Sequence, residues 1–352
     1  MLTRLVCIIL GTVGSLLLAE GAFRFLHLAP QVAVLTDADE DTPYIRSPNP
    51  ALTYVLRPNY RSASPSNHHG RFSFVNSFGQ RDIERTSSRI PGKKRVIMLG
   101  DSVVAGHGEP NLDNTISRRL EKHFNGAVEV LNFGVGGYNT RAEVELLKEK
   151  GLQFSPDAVI LVTVFNDHDD KNGESPSEYD VARPKWQKAL FIHSALFRYM
   201  ALQYNLFRFR ERVTGEWRHE RELPVDASPE RNDNMSIGFD QLVRMSQEHN
   251  FNVGVVVWPH LGEKEITHSY FKRTERDELH VDRLIKEHDL PSLHLIDAFK
   301  LDFTTRCPSG APPPCPHPHV TYTANGDGIH ANELGATIAA QALRPFAEEL
   351  LK

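Results

Sequence analysis

The sequence carries little excess charge, few cysteines, no internal repeat and only one long uncharged apolar run, and each scarcity narrows the possibilities. Forty Lys and Arg against 45 Asp and Glu leave a formal net charge of −5, so nothing draws the chain to nucleic acid in general. Apolar residues make up 40% of the chain, enough for an ordinary packed core. Its 352 residues suffice for one large α/β domain or two small ones. No G-x-S-x-G occurs anywhere, which excludes the nucleophile elbow of the α/β-hydrolase type.

The uncharged run is Leu5 to Ala19, 15 residues following Arg4. It fits the hydrophobic region of an export signal and is slightly short for a membrane span. Cleavage near Ala19-Glu20-Gly21 would meet a poor site, because the Glu disrupts the small-residue pattern. The favoured expectation for residues 1–30 is therefore an uncleaved anchor, its helix continuing through a Glu20–Arg24 i,i+4 pair to Phe25-Leu26. Of three cysteines, Cys7 lies in this segment, while Cys307 and Cys315 bracket a Pro-rich loop. A disulfide there would suit an exported protein and stabilise by about 2–3 kcal/mol. The neighbouring His317 and His319 offer no second pair of ligands, so a zinc site is not expected.

Residues 31–93 are rich in Pro, Ser, Asn and charge, and read as a spacer and a loop-rich lead-in that packs on the domain edge. From residue 94 the pattern becomes regular. Apolar, β-branched runs at Arg95–Leu99, Val128–Phe133, Ala158–Val164, Asn252–Trp258 and Ser292–Ile296 predict buried strands. Helical patterns at 115–124, 141–150, 237–249, 276–288 and 332–351 alternate with them. That alternation implies a parallel sheet covered on both faces, within a domain spanning 94–352. An insertion at about 171–235 interrupts it, and Trp186 to Arg212 within it predicts a helix or helix pair with a wide apolar face. Packing on the domain is one reading of that face. A lid, an acyl-binding wall or a membrane-surface contact is the other.

In a parallel sheet, ligands meet the loops at the carboxyl ends of the strands. The first strand ends in Gly100-Asp101-Ser102, the second in Gly134-Val135-Gly136-Gly137-Tyr138-Asn139, and the third in Phe165-Asn166-Asp167. Asp327-Gly328-Ile329-His330 precedes the last helix. Alone, each reads equally well as a turn or a cap. Together they supply what acyl transfer needs. Ser102 would attack, His330 would take its proton, and Asp327 would fix the imidazole tautomer. The N–H groups of Ser102 and Gly137, with the Asn166 amide, would hold the oxyanion, and Gly137 has no Cβ to block close approach.

The ordered set GDS, GVGGYN, FND and DGIH resembles the four blocks of the SGNH (GDSL-like) hydrolase superfamily. The resemblance implies a flavodoxin-like three-layer α/β/α fold. It also implies metal-independent hydrolysis of acyl esters, with no cofactor. Ser102, Gly137, Asn166 and His330 then take the four named positions, with Asp327 as the triad acid. Phe165 stands where many members have Gly, which narrows the pocket, and Val103 replaces the usual Leu. Phe165 and Tyr138 are expected to touch substrate. The lead-in Asn76-Ser77-Phe78-Gly79-Gln80-Arg81-Asp82 is similar to that of membrane-tethered bacterial members. An exported location would make acetylated envelope glycans or lipid esters the substrates.

Rival readings keep fewer residues employed. A metal-dependent phosphoesterase built on Asp167-His168-Asp169-Asp170 with Asp101 and His330 leaves Ser102 and Asn166 without roles. An O-acyltransferase of envelope polysaccharide would use the same triad and differ only in excluding water. A non-catalytic glycan-binding module needs neither His330 nor Asp327.

Overall fold

A computed structural model of the chain describes residues 2–26, 28, 43–49, 51–52, 54–62, 73–167, 185–208, 233–263, 265–268, 280–308 and 316–352. In chain order the described elements begin with helix α1 (Leu2–Phe25) and the short strands β1 (Tyr44–Arg46) and β2 (Tyr54–Leu56). Next come β3 (Lys94–Gly100), α2 (Ser102–Ala105), α3 (Ile116–His123), β4 (Val128–Gly134), α4 (Thr140–Leu146) and β5 (Ala158–Thr163). Helices α5 (Lys185–His193), α6 (Ala195–Gln203) and α7 (Asn234–His249) follow. The chain closes with β6 (Asn252–Val257), β7 (Pro259–Leu261), β8 (Ile266–His268), α8 (His280–Glu287), β9 (Ser292–His294), α9 (Ile296–Arg306), α10 (Pro318–Tyr322) and α11 (Glu333–Leu350).

The chain divides into two compact units, one of Met1–Asp39 with Pro176–Leu223 and one of Glu40–Ser175 with Pro224–Lys352. In the first, α1 meets the inserted helix α6, which packs against α5. The Glu20–Arg24 pair forms at 2.6 Å. Glu20 then accepts from the Ser194 hydroxyl at 2.8 Å and from the Ala195 and Leu196 N–H groups at 2.9 Å, so one helix caps another. Burial would raise the Glu20 carboxyl, but these donors and Arg24 outweigh it and hold it at about 2. Among the described residues, no helix is long and apolar enough to cross a membrane. The anchor expected at 1–30 thus meets no support in α1, whose Gly11, Thr12, Gly14 and Ser15 interrupt its leucines.

The second unit is built on a five-stranded parallel sheet of order β4-β3-β5-β6-β9. Numbered along the sheet alone, this is the 2-1-3-4-5 winding of the flavodoxin-like class, with its switch point between β3 and β5. Strand residues alternate between two covered faces, as period 2 dictates. Val96, Met98, Val130, Ile160, Val162 and Val256 join the core shared with α3, α9 and α11. On the other side α4 and α7 pack against each other, α4 against β3 and β4, and α7 against β6. The α/β/α expectation holds.

Two features differ notably from the sequence reading. The fifth strand stops at His294 because Leu295 already adopts helical angles and opens α9, a helix without a clear apolar stripe. The lead-in is also more deeply integrated than its polarity suggests. Arg85 reaches Asp82 at 2.8 Å, Glu121 at 2.8 Å and the Val130 carbonyl at 2.9 Å, all within the fold. Buried Arg95 on β3 meets Glu129 at 2.7 Å. Charges buried this way persist because each is paired and hydrogen-bonded. Cys307 is disulfide-bonded, whereas Cys7 is free; the expected partner, Cys315, lies outside the described residues.

Candidate active site

β3 delivers Asp101 and Ser102 to the carboxyl edge of the sheet, beside the switch point where such folds bind ligands. Asp101 caps α2, accepting the Val103 N–H at 2.9 Å, so Ser102 stands on the first helical residue. The turn is closed by Gly106 and by the His107 N–H bonded to the Ser102 carbonyl at 2.9 Å.

The loop before α11 brings the expected base, His330. Leu261 N–H bonds the Gly328 carbonyl at 2.8 Å, and the Trp258 indole donates to the Ile329 carbonyl at 2.9 Å. The Thr323 hydroxyl oxygen accepts the Gly328 N–H at 3.2 Å. With that loop fixed, His330 Nε2 lies 2.8 Å from Ser102 Oγ, and its Nδ1 lies 2.8 Å from Asp327 Oδ2. A carboxylate only accepts, so Nδ1 carries the proton and Nε2 is left to accept from the serine. Asp327 Oδ1 accepts the N–H groups of Ile329 and His330, each at 2.9 Å. Partial burial would raise the Asp327 carboxyl, but the His330 side chain and these N–H groups hold it below the usual range. The acid therefore stays ionised at neutral pH.

The expected oxyanion donors come from two loops stapled together. Thr140 gives its N–H to the Asp167 carbonyl at 3.3 Å and its hydroxyl to Asp167 Oδ1 at 3.1 Å. Asp167 Oδ2 in turn accepts the Val164 N–H. Asn166 Nδ2 lies 3.3 Å from the Tyr138 carbonyl, next to Gly137, which takes a φ of +78°. An Asn amide has two donors, so one remains for a substrate oxygen. Its Oδ1 is buried without a protein partner.

Of the two expected substrate contacts, Phe165 is exposed at the rim, 37% accessible. Tyr138 is not at the surface. Its ring is fully buried and its hydroxyl donates to the Tyr54 carbonyl. The turn at Gly137 sends the ring inward, where it braces the lead-in strand β2 rather than touching substrate.

Three residues at the site escape sequence reading. His107 stacks on His330 with ring centroids 5.5 Å apart. Arg81, buried in the lead-in, donates to the carbonyls of Ala105, Gly106 and Glu109 and so holds the loop that carries His107. Glu143 on α4 is fully buried with neither carboxyl oxygen partnered. Burial first, then the charges of Asp167 and Asp101, push its carboxyl well above the usual range. Burial likewise raises Asp101. The NSFGQRD resemblance pointed at Arg81 without assigning it a task.

A family model of GDSL-like lipases and acylhydrolases matches residues 98–338. No curated protein sequence matches the chain. Among solved structures, it is similar to a two-domain esterase active on acetylated mannans, at 12% identity and a TM-score of 0.41, covering 74% of this chain and 50% of that one. The lipase/acylhydrolase of Enterococcus faecalis is similar at 15% identity and a TM-score of 0.39, covering 74% and 97%. The psychrotrophic esterase EstA of Pseudoalteromonas is similar at 13% identity and a TM-score of 0.41, covering 74% and 99%. This chain thus spans half the length of the mannan esterase. The family match covers more than half of the present chain and contains Ser102, Gly137, Asn166 and His330; the protein belongs to the GDSL-like lipase/acylhydrolase family, a family of esterases.

Proposed function

We propose that the chain hydrolyses acyl esters through an acyl-Ser102 intermediate. The observation that carries this is the unbroken chain from Ser102 Oγ through His330 to Asp327, two links of 2.8 Å with the tautomer dictated by the carboxylate. Ser102 Oγ attacks the ester carbonyl carbon as its proton passes to His330 Nε2. The carbonyl oxygen becomes an oxyanion held by the N–H groups of Ser102 and Gly137 and the Asn166 amide. Collapse breaks the bond to the alcohol, which leaves with the proton from the imidazolium. Water, deprotonated by His330, then releases the acid and restores the serine.

Carboxylate, amide and hydroxyl groups beside the site offer hydrogen bonds to a polar alcohol, such as a sugar bearing an acetyl group. A cavity of about 630 Å³ lies between the segment after His107 and the segments flanking His330, lined by Glu109, Asn325, Asn332, Glu333 and Thr337 together with apolar Pro110, Ala324 and Leu334. Disulfide-bonded Cys307 supports work outside the reducing cytoplasm. The test is hydrolysis of p-nitrophenyl esters of increasing chain length by the full chain, beside Ser102→Ala. Activity on acetyl that declines with chain length supports the reading. Equal inertness of both proteins would move the acyltransferase reading ahead, and acetyl transfer to an added glycan would then decide it.

A further inference from the structure

Resting on the triad reading, we propose that His107 is a positioning residue for the general base. Wedged between the oxyanion loop and His330, its uncharged ring fixes the plane of the His330 imidazole and gives the imidazolium a π face to lie on. The two rings are nearly parallel, 24° apart, with centroids at 5.5 Å. On its other side the ring fills the space over Gly136, where an added Cβ would sit 2.4 Å from His107 Cε1 and 2.6 Å from Nε2. Gly136 is thus small because His107 is there. Tyr44 Oη lies 3.2 Å from His107 Nε2 and would sit 3.0 Å from the same Cβ, so the lead-in strand β1 closes the third side. Arg81 holds the backbone below through the carbonyls of Ala105, Gly106 and Glu109.

Catalysis charges His330 in each half-reaction, so the charge on its neighbour matters. The titratable groups facing His107 are His330, Arg81, Asp327 and Tyr44. Burial first, then the positive charges of His330 and Arg81, hold the His107 imidazole well below its ordinary range, against a smaller opposite pull from Asp327. Burial raises the Tyr44 phenol, which keeps its proton. A neutral ring stacked on an imidazolium attracts it, whereas a cation there repels it.

The experiment measures the rate of Ser102 labelling by a fluorophosphonate ester across pH, which needs no knowledge of the natural substrate. His107→Phe keeps a flat neutral ring without polar atoms, His107→Gln keeps polar atoms without a ring, and His107→Lys places a fixed cation in the wedge. Thermal midpoints confirm folding, and whichever variants fold give the comparison. The inference expects His107→Phe within about tenfold of wild type and His107→Gln slower by about 10²-fold. His107→Lys should move the acid limb of the profile down by about one pH unit. A His107→Phe rate no better than that of His107→Gln, or an unmoved acid limb in His107→Lys, overturns the positioning role while leaving the triad intact. Failure of the wild type to label at Ser102 overturns both.

Discussion

Replacing Asp327 by Asn changes one atom and asks the most of the triad. Oδ1 already accepts two backbone N–H groups at 2.9 Å each, and Oδ2 faces His330 Nδ1 at 2.8 Å. The amide oxygen of Asn must stay on the two N–H donors, which puts its NH₂ against Nδ1. Two donors cannot face each other, so the imidazole gives up its Nδ1 proton and carries one on Nε2, toward Ser102. The base is then blocked. A fully sequestered triad loses about 10⁴ in kcat from this tautomer error. Here the side chains of His330 and Asp327 are 25% and 37% exposed, so water relieves part of the conflict and a loss of about 10²–10³ is expected. The assay is kcat for p-nitrophenyl acetate at pH 8, normalised to Ser102 titrated by a fluorophosphonate. A variant within tenfold of wild type would refute the assignment of Asp327 as the orienting acid.

Two further outcomes follow from buried groups near the site. The Glu143 carboxyl is held neutral in the fold, with its titration pushed upward by burial and by Asp167 and Asp101, whereas the unfolded chain ionises it above about pH 4–5. Stability from that retained proton is therefore full below pH ~4 and is lost as pH rises toward the folded value. Glu143→Gln should accordingly match wild type in thermal midpoint near pH 4 and exceed it progressively up to pH 8; a constant difference would contradict the protonated state. Arg81, pushed down to about 10 by burial yet still charged at neutral pH, donates to three carbonyls of the loop after α2. Arg81→Met should lower unfolding stability by about 3 kcal/mol in urea titrations, and an unchanged midpoint would show that those carbonyls find other donors.

The parts of this fold that could be read in the sequence are those dictated by local chemistry. The apolar, β-branched runs at 95–99, 128–133, 158–164 and 252–258 read as buried strands, and strands form there within a residue of those bounds. Three of the four candidate blocks stand out because each sits where a strand ends, and a parallel sheet gathers such ends on one edge, while the fourth precedes the last helix. Residues whose role depends on direction or on distant neighbours were not legible. Tyr138 is adjacent to Gly137 in sequence, but a left-handed turn aims its ring at Tyr54. His107 is one histidine in a Gly-His-Gly segment until Gly136, Tyr44 and His330 surround it. Arg81 lies in a polar stretch that composition marks as loop, and only burial reveals it as the support of the loop after Ser102. Helix α9 was hidden because its apolar residues fall on no single face.

The claim on which everything else depends is that Ser102 is the nucleophile activated by His330. Steady-state hydrolysis of p-nitrophenyl acetate by the full chain, by Ser102→Ala and by His330→Ala tests it directly. The account predicts an active wild type, and two variants each slower by several orders of magnitude with unchanged thermal midpoints. A folded Ser102→Ala protein that retains wild-type turnover would contradict it.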